Sequence, residues 1–326
     1  MNNMKNILKK FEGLRVLVIG DVMIDAYLIG NVDRISPEAP VPVVSVQKKE
    51  NRLGGAANVA LNLVALGAKP ILCSVIGDDL DGNDLLVLLE KSNIQSSGII
   101  RSKDRKTTTK TRVIAQNHQM IRIDNEQTDS ITEYDSYVLV QRIINDLLPA
   151  ADVVLFEDYD KGVITQPLIE QITLMAHKRG LKVVVDPKKR NFINYKGVDL
   201  FKPNLKELRE GFKRDTDPSN PAEFEMAVSD LMKVMDLKNI MVTMSERGVM
   251  ISDGNTFEYV PAHHRKIADV SGAGDSVISV ASLAMAIGLS NLELAKLSNL
   301  AGGLVCEEVG VVPIDLNRLM EESSKL

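Results

Sequence analysis

Short runs of aliphatic and β-branched residues, each closed by glycine or a polar side chain, alternate along most of this chain with longer segments of helical periodicity. The short runs at 15–20, 70–77, 152–157, 182–186, 200–202 and 240–243 predict buried strands. Apolar spacing of three and four residues predicts helices at 56–66, 80–91, 133–148, 166–179, 221–234, 274–287 and 292–306. Strand and helix alternating in this order predict an α/β fold, a mainly parallel sheet with helices on both faces.

Two stretches break the rhythm. Between 30 and 48, Pro37, Pro40 and Pro42 precede Val43, Val44 and Val46, which reads as an extended edge strand. Between 98 and 124, Thr107, Thr109, Thr111, Val113, Ile121 and Ile123 alternate with polar residues around an expected turn at 116–119, a hairpin pattern. Together they predict a small β-layer projecting from one domain that spans 1–326, placed as a lid over an active site or as a dimer contact. The other reading is a surface hairpin without a role. The linker-like residues 214–221 end in a helix start at Pro221.

Composition narrows the function classes. With 44% hydrophobic and 25% charged residues over 326, the chain is neither disordered nor collagen-like. A net charge of -5 without a basic block argues against nucleic acid and anionic membrane surfaces as partners. The apolar run at 16–19 is short for a signal segment, and 276–289 is short of the roughly 18 residues of a membrane span. Cys73 and Cys306 have no CxxC or His-spaced partner, so neither a disulfide framework nor a zinc site is expected. A cytoplasmic protein is the expectation. His118, His177, His263 and His264 lack metal-pair spacing, and the adjacent pair reads as exposed loop.

The segment Asp269-Val270-Ser271-Gly272-Ala273-Gly274-Asp275 runs straight into an apolar helix. Glycines 272 and 274 permit close backbone approach, and a helix start aims free N–H groups at one point, where an anion or a developing phosphoryl charge would sit. Asp275 beside such a site can take the proton of a hydroxyl that attacks phosphorus. The same residues also suit a glycine turn with Asp275 as a helix-start carboxylate.

Glycine clusters again at Gly54-Gly55-Ala56-Ala57-Asn58, ahead of a helix, where Asn58 can donate to and accept from sugar hydroxyls. A tight strand-to-helix turn explains the same pattern. The strand at 16–19 ends in Gly20-Asp21 and then Asp25, two acids where open α/β sheets bind ligands. Further strand ends carry Glu157-Asp158-Tyr159-Asp160-Lys161-Gly162, Asp186-Pro187-Lys188 and Lys202-Pro203-Asn204, with Glu207 three residues on. Asn204 and Glu207 either face a metal ion and its waters or form a capping box. No GxGxxG follows the first strand and no GxxxxGK[ST] occurs, which disfavours a nicotinamide-dependent oxidoreductase.

These segments together resemble the ribokinase-like (PfkB) family of carbohydrate kinases, from about residue 14 to about 313. The resemblance implies a three-layer α/β/α sandwich with a small β-sheet lid. It implies an anion hole at Gly272, Ala273 and Gly274, with Asp275 as catalytic base. Asp25, Gly54, Gly55 and Asn58 would contact the sugar, and Asn204 and Glu207 match the family's NxxE element near magnesium and phosphate, Glu207 acting through water. Thr243, Ser245, Gly248 and Asn299 would lie on the ATP side. The family often has glycine at the place of Ser245 and threonine at that of Ser271. Asp269 stands where some members bind a monovalent cation, so potassium joins ATP and Mg²⁺ as an implied cofactor.

Within the family, the run from Arg34 to Val44, with 157–162 and 186–188, is similar to kinases of D-glycero-β-D-manno-heptose 7-phosphate in ADP-heptose synthesis for lipopolysaccharide. The resemblance implies phosphorylation at the C1 hydroxyl, by a stand-alone kinase whose product passes to a separate adenylyltransferase. Arg34, Lys161, Lys188 and Arg112 are candidates for the phosphate that the sugar already carries. A homodimer through the lid is expected. Kinases of other sugars or nucleosides share the motifs, and a non-catalytic sugar-phosphate sensor is the reading from another class.

Overall fold

The computed structural model describes residues 2–116, 118–263 and 265–325. His264 and part of the turn expected at 116–119 lie outside the described residues. Helix α1 (Asn2–Lys9) leads into β1 (Arg15–Gly20), followed by a long antiparallel hairpin, β2 (Val22–Ile35) and β3 (Pro42–Gly55). Then come α2 (Ala56–Ala65), β4 (Lys69–Gly77), α3 (Leu80–Lys91), β5 (Gln95–Ser102) and a second hairpin, β6 (Thr109–Ala115) and β7 (His118–Asn125). The chain continues through α4 (Glu133–Arg142), β8 (Val153–Glu157), α5 (Gln166–Lys178), β9 (Lys182–Asp186) and β10 (Leu200–Phe201). After α6 (Leu205–Phe212) and α7 (Pro221–Met235) follow β11 (Ile240–Thr243), β12 (Val249–Ser252) and β13 (Phe257–Val260). Helices α8 (Ala273–Ala286), α9 (Asn291–Val305) and α10 (Leu316–Ser323) complete it.

Nine strands form the large sheet in the order β13-β12-β11-β10-β9-β8-β1-β4-β5, parallel from β11 to β5, with β12 and β13 antiparallel at one edge. The central strand β1 shows why the molecule has three layers. Successive side chains of a strand point to opposite faces, so Val16 and Val18 pack with Val59, Leu63, Ile278 and Leu297, while Leu17 and Ile19 pack with Leu139, Ile169, Phe224 and Leu231. The expected α/β/α sandwich is therefore present. The helix expected over 133–148 ends earlier, at Arg142, and passes through a π turn (Ile143–Leu147) into a 3₁₀ turn at Leu148–Ala150. Pro149, with no N–H to give, sits in that last turn.

The second sheet has the order β3-β2-β6-β7. Its composition differs from the expectation in two respects. Residues 30–48 are not one edge strand but the distal halves of two, β2 and β3, joined by residues 36–41. Residues 98–102 belong to β5, on the edge of the large sheet, so only β6 and β7 of the stretch 98–124 join the small one. The alternation there is shared by a half-buried edge strand and a hairpin, and period alone does not assign a strand to a sheet. Register and alternation place Asp25, Tyr27, Glu50, Arg52, Lys110 and Arg112 on one face, and Ala26, Leu28, Thr111, Val113, Ile121 and Ile123 on the other. Among the described residues no helix is long and apolar enough to cross a membrane.

Candidate active site

Parallel strands end together, and their carboxyl ends collect polar side chains that the strand interiors cannot hold. Register sets Gly20 beside Glu157 and Glu157 beside Asp186, at the ends of β1, β8 and β9. Lys202, just past β10, gives its Nζ to Asp186 Oδ2 at 2.8 Å, and both groups are buried. Lys188 Nζ pairs with Glu207 and lies 4.0 Å from Asp186 Oδ1. Burial works against the charge of both lysines, but the carboxylates of Asp186 and Glu207 outweigh it and raise their pKa. Glu157, fully enclosed and next to Asp186, is driven well above the usual carboxylate range, first by burial and then by its neighbour's charge.

Helix α8 begins against this cluster. Gly272 is its N-cap in the left-handed region, φ 82°, and a methyl built on Gly274 would stand 3.9 Å from Asp186 Oδ2 and 4.0 Å from Lys202 Nζ. Among the described residues the amides of Gly274 and Asp275 donate to no main-chain carbonyl, whereas that of Ala273 reaches Val270 O at 3.3 Å. Of the three amides expected to form an anion hole, those of Gly272 and Gly274 are likewise open and that of Ala273 is partly engaged; the amide of Asp275 is open beside them. Asp275 is buried, with Asn58 Nδ2 donating to Oδ2 at 2.6 Å and the Tyr159 hydroxyl donating to Oδ1 at 2.8 Å. Burial pushes its carboxyl up to about 6, against the pull of those two hydrogen bonds. A carboxylate near 6 is ionised at neutral pH yet basic enough to accept a proton, the condition a general base needs.

Asp21 has a role that its position in the sequence does not reveal. Its side chain accepts the backbone N–H groups of Tyr159, Lys161 and Val163 at 3.0, 3.0 and 2.9 Å. It shapes the loop after β8 and, through it, sets the Tyr159 hydroxyl on Asp275. Asp25 lies four residues on, in β2 of the small sheet, and takes Arg112 Nη1 at 2.6 Å. Gly54 is required beside it, since a Cβ there would come within 2.9 Å of Met23 Cγ and 3.1 Å of Asp25 Oδ2. Gly55 has φ 61° and would press a Cβ to 2.4 Å from Asp21 O. Among the described residues Asn58 Oδ1 is buried and finds no donor, an open acceptor next to the Asp275 carboxylate.

On the other side of the cluster, Asn204 and Glu207 form a capping box for α6, with N–H···O distances of 2.9 and 2.8 Å. Glu207 spends its second oxygen on Lys188, so a metal role for it is confined to contact through water. Thr243 bridges to Asn204 at the end of β11. Ser245 (φ 51°) and Gly248 (φ 87°) shape the turn that follows. Asn299 on α9 donates to Pro261 O at 2.9 Å. Asp269 accepts Ser271 N at 3.0 Å and Gly310 N at 3.1 Å, bonds that hold its carboxyl below the usual range.

The basic residues assigned to the acceptor's phosphate are not brought together. Arg34 is exposed at the distal end of β2, nine residues or about 30 Å along the strand from Asp25. Lys161 Nζ is held by Glu126 at 2.9 Å. Lys188 belongs to the carboxylate cluster and rests 5.4 Å from the centroid of the Tyr159 ring. Of the four, Arg112 alone pairs with Asp25. The sequence marks 157–162 as a polar strand end, but no local signal ties Glu157 to Asp186 or Tyr159, two residues past the end of β8, to Asp275.

Among the described residues two buried carboxylate oxygens, Asp186 Oδ1 and Glu157 Oε2, accept no hydrogen bond. Hard, unpaired oxygens suit Mg²⁺, which keeps waters and takes few protein ligands when it rides on phosphates. Among the described residues no group of three or more His, Cys, Asp or Glu side chains converges as a metal site.

A family model described as pfkB family carbohydrate kinase matches residues 14–316. Bifunctional protein HldE of Desulfatibacillum aliphaticivorans is 40% identical over 306 residues, covering 94% of this chain and 62% of that protein. HldE of Syntrophotalea carbinolica is 39% identical over 322 residues, with 98% and 65% covered. The chain thus spans less than two thirds of these relatives. Among solved structures, Escherichia coli phosphofructokinase-2 with substrates and products superimposes with a TM-score of 0.77 at 19% identity, covering 96% of this chain and 99% of that one. Arabidopsis thaliana ribokinase with ribose and ATP gives 0.71 at 17%, covering 95% and 99%.

Proposed function

The chain belongs to the pfkB family of carbohydrate kinases, and we propose that it moves the γ-phosphoryl group of ATP onto the C1 hydroxyl of D-glycero-β-D-manno-heptose 7-phosphate, giving the 1,7-bisphosphate. The observation that carries the chemistry is the buried carboxylate of Asp275, fixed through both oxygens at the start of α8. In the step, the C1 oxygen forms a bond to the γ-phosphorus, the bond from that phosphorus to the ADP oxygen breaks, and the hydroxyl proton goes to Asp275. The free amides at the start of α8 and the ammonium groups of Lys188 and Lys202 face the charge that develops on the transferring group. Magnesium would neutralise the phosphate oxygens of ATP; Asp186 and Glu157 offer it open oxygens, and Glu207 would act through water. Asn58 and Asp25 would hold the sugar, Thr243, Ser245, Gly248 and Asn299 the nucleotide, and Asp269 marks the place for a monovalent cation.

The choice of acceptor rests on the relatives. Bifunctional proteins named HldE lie near 40% identity, and the stretches 34–44, 157–162 and 186–188 resemble heptose 7-phosphate kinases, whereas the phosphofructokinase and ribokinase likenesses, below 20%, speak to fold. The product would pass to an adenylyltransferase, and the cytoplasm is the compartment that holds such substrates. We place a homodimer contact on the small sheet, where Ile121 and Ile123 lie 56% and 51% exposed on the face turned away from Arg52 and Arg112.

The test is ATP consumption with Mg²⁺ against heptose 7-phosphate, fructose 6-phosphate, fructose, ribose and adenosine, with Asp275→Asn as control. Turnover confined to heptose 7-phosphate supports the reading. Turnover of another acceptor instead keeps the kinase and discards the substrate.

A further inference from the structure

Arg105 is a buried cation whose partners are carbonyl groups. It lies between β5 and β6, at the root of the small sheet, with 9% of its surface exposed. Its Nη1 donates to Asp129 O at 3.3 Å and its Nη2 donates to Lys161 O. Burial works against the charge, and the carboxylates of Asp21 and Asp135 support it, although among the described residues neither accepts a hydrogen bond from it. Taking an ionised guanidinium out of water to serve main-chain carbonyls is costly, so the reason for its position lies in what it holds.

What it holds is the loop after β8. Lys161 is fastened at both of its backbone groups, its N–H on Asp21 at 3.0 Å and its C=O on Arg105. The N–H groups of Tyr159 and Val163 go to the same Asp21 carboxylate at 3.0 and 2.9 Å. An anion thus gathers the amides of the loop and a cation takes its carbonyl. The second carbonyl, that of Asp129, brings in the segment that returns from β7 to α4. There Gly162 (φ 91°) is the residue type that fits, since a Cβ would meet Asp129 O at 2.0 Å, and Gly162 O accepts Ile131 N at 3.0 Å. Two loops are joined around one side chain.

Arg105 is itself set on the large sheet and its helix. Two residues on, Thr107 gives its N–H and its hydroxyl to Asp79 at 2.9 and 2.7 Å, and Asp79 caps α3 by accepting Gly82 N at 2.7 Å. A Cβ on Gly77, the last residue of β4, would come within 2.7 Å of Arg105 O, so the main chain at 105 rests on the end of that strand. The path from there to the reacting carboxylate is short. The end of β4 and the start of α3 hold Arg105, Arg105 holds Lys161, and Tyr159, two residues before Lys161, donates its hydroxyl to Asp275 at 2.8 Å.

We propose that Arg105 is a positioning residue for phosphoryl transfer: with Asp21 it fixes the loop at 159–163 so that the Tyr159 hydroxyl stays on Asp275. The proposal rests on the reading of Asp275 as the base. A loosened loop lets the tyrosine hydroxyl leave the carboxylate, which then turns away from the attacking hydroxyl, and a misplacement of about 1 Å is enough to slow a transfer. Lysine does not substitute for the arginine here, because a single ammonium lacks the planar fork that spans two carbonyls.

Arg105→Lys tests it, through turnover of heptose 7-phosphate with ATP and through ¹⁹F NMR of protein carrying 3-fluorotyrosine at its six tyrosines. The resonance lost in Tyr159→Phe identifies the signal of Tyr159, and Asp275→Ala gives its position when the hydroxyl has no carboxylate to meet. Arg105→Lys should lower kcat about tenfold with KM for ATP unchanged, and should move the Tyr159 signal toward the Asp275→Ala position. In a Tyr159→Phe background the same substitution should cost less than about twofold, since both changes act on one contact. A Tyr159 signal that stays in place in the folded variant overturns the proposal, and so do losses that multiply in the double variant. Should Arg105→Lys not fold, Arg105→Gln, which removes the buried charge and keeps an amide donor, takes its place under the same criteria. A wild type without turnover whose Tyr159 signal still depends on Arg105 keeps the positioning role and loses the proposed reaction.

Discussion

The hydroxyl of Tyr159 donates to Oδ1 of Asp275 at 2.8 Å, joining the loop after β8 to the first turn of α8 across 116 residues of chain. That bond favours the charged carboxylate, against the burial that favours the neutral one. Tyr159→Phe should therefore raise the pKa of Asp275 from its value of about 6. The acid limb of kcat/KM against pH should move to higher pH, with kcat reduced about tenfold near neutrality and KM for ATP unchanged. An unmoved acid limb would assign Tyr159 a packing role only.

Removing the carboxylate separates catalysis from stability. Asp275→Asn should lower turnover by roughly 10³-fold while the protein stays folded. The sign of the stability change follows from linkage: the folded pKa lies above the unfolded value of 3.8, so ionised Asp275 weakens the fold above about pH 6, and this weakening fades below pH 4. At pH 8 the Asn variant should be as stable as the wild type or more so, by about 1–3 kcal/mol, with the difference gone at pH 4. Denaturant midpoints at the two pH values check it.

The Lys202–Asp186 pair at 2.8 Å is buried on both sides. Lys202→Met would strand the Asp186 charge, and we expect a loss of about 3–5 kcal/mol by chemical denaturation. A loss below about 1 kcal/mol would mean that Lys188 takes over as partner of Asp186, from which it stands 4.0 Å away.

For the proposed dimer, Ile123→Lys places a charge in the exposed apolar row of β7. Light scattering of the wild type should give about twice the 35.8 kDa chain mass, and the variant a single chain mass. A wild type of one chain mass at micromolar concentration would remove the contact.

The pattern of apolar positions sufficed for six of the nine strands of the large sheet, β1, β4, β8, β9, β10 and β11, but not for its edge strands β5, β12 and β13, because a strand buried on both faces, such as Val16 to Ile19, must be apolar throughout and a helix packed on it must show a 3.6-residue period. The two glycine segments were equally legible: backbone at Gly55 and Gly272 needs a φ that other residues resist, so glycine stands there in plain view. The expected helix limits mostly lie within two residues of those observed, and the boundary that failed, at Arg142, lies where a π turn interrupts the ladder without changing the hydrophobic pattern.

What only the tertiary structure decided is which side chain meets which. The sequence places Asp21 and Asp25 as equals at one strand end, yet one is consumed by three loop amides and the other stands in the small sheet beside Arg112. It offers Arg34, Lys161, Lys188 and Arg112 on equal terms, and marks Tyr159 only as part of the polar stretch 157–162. A hydrogen bond or ion pair acts over about 3–4 Å and is set by strand register and loop path, whereas the sequence reports only periodicity and local backbone demand. Asn58 and Asp275, 217 residues apart, come to 2.6 Å because α2 and α8 pack side by side, and no local pattern carries that information.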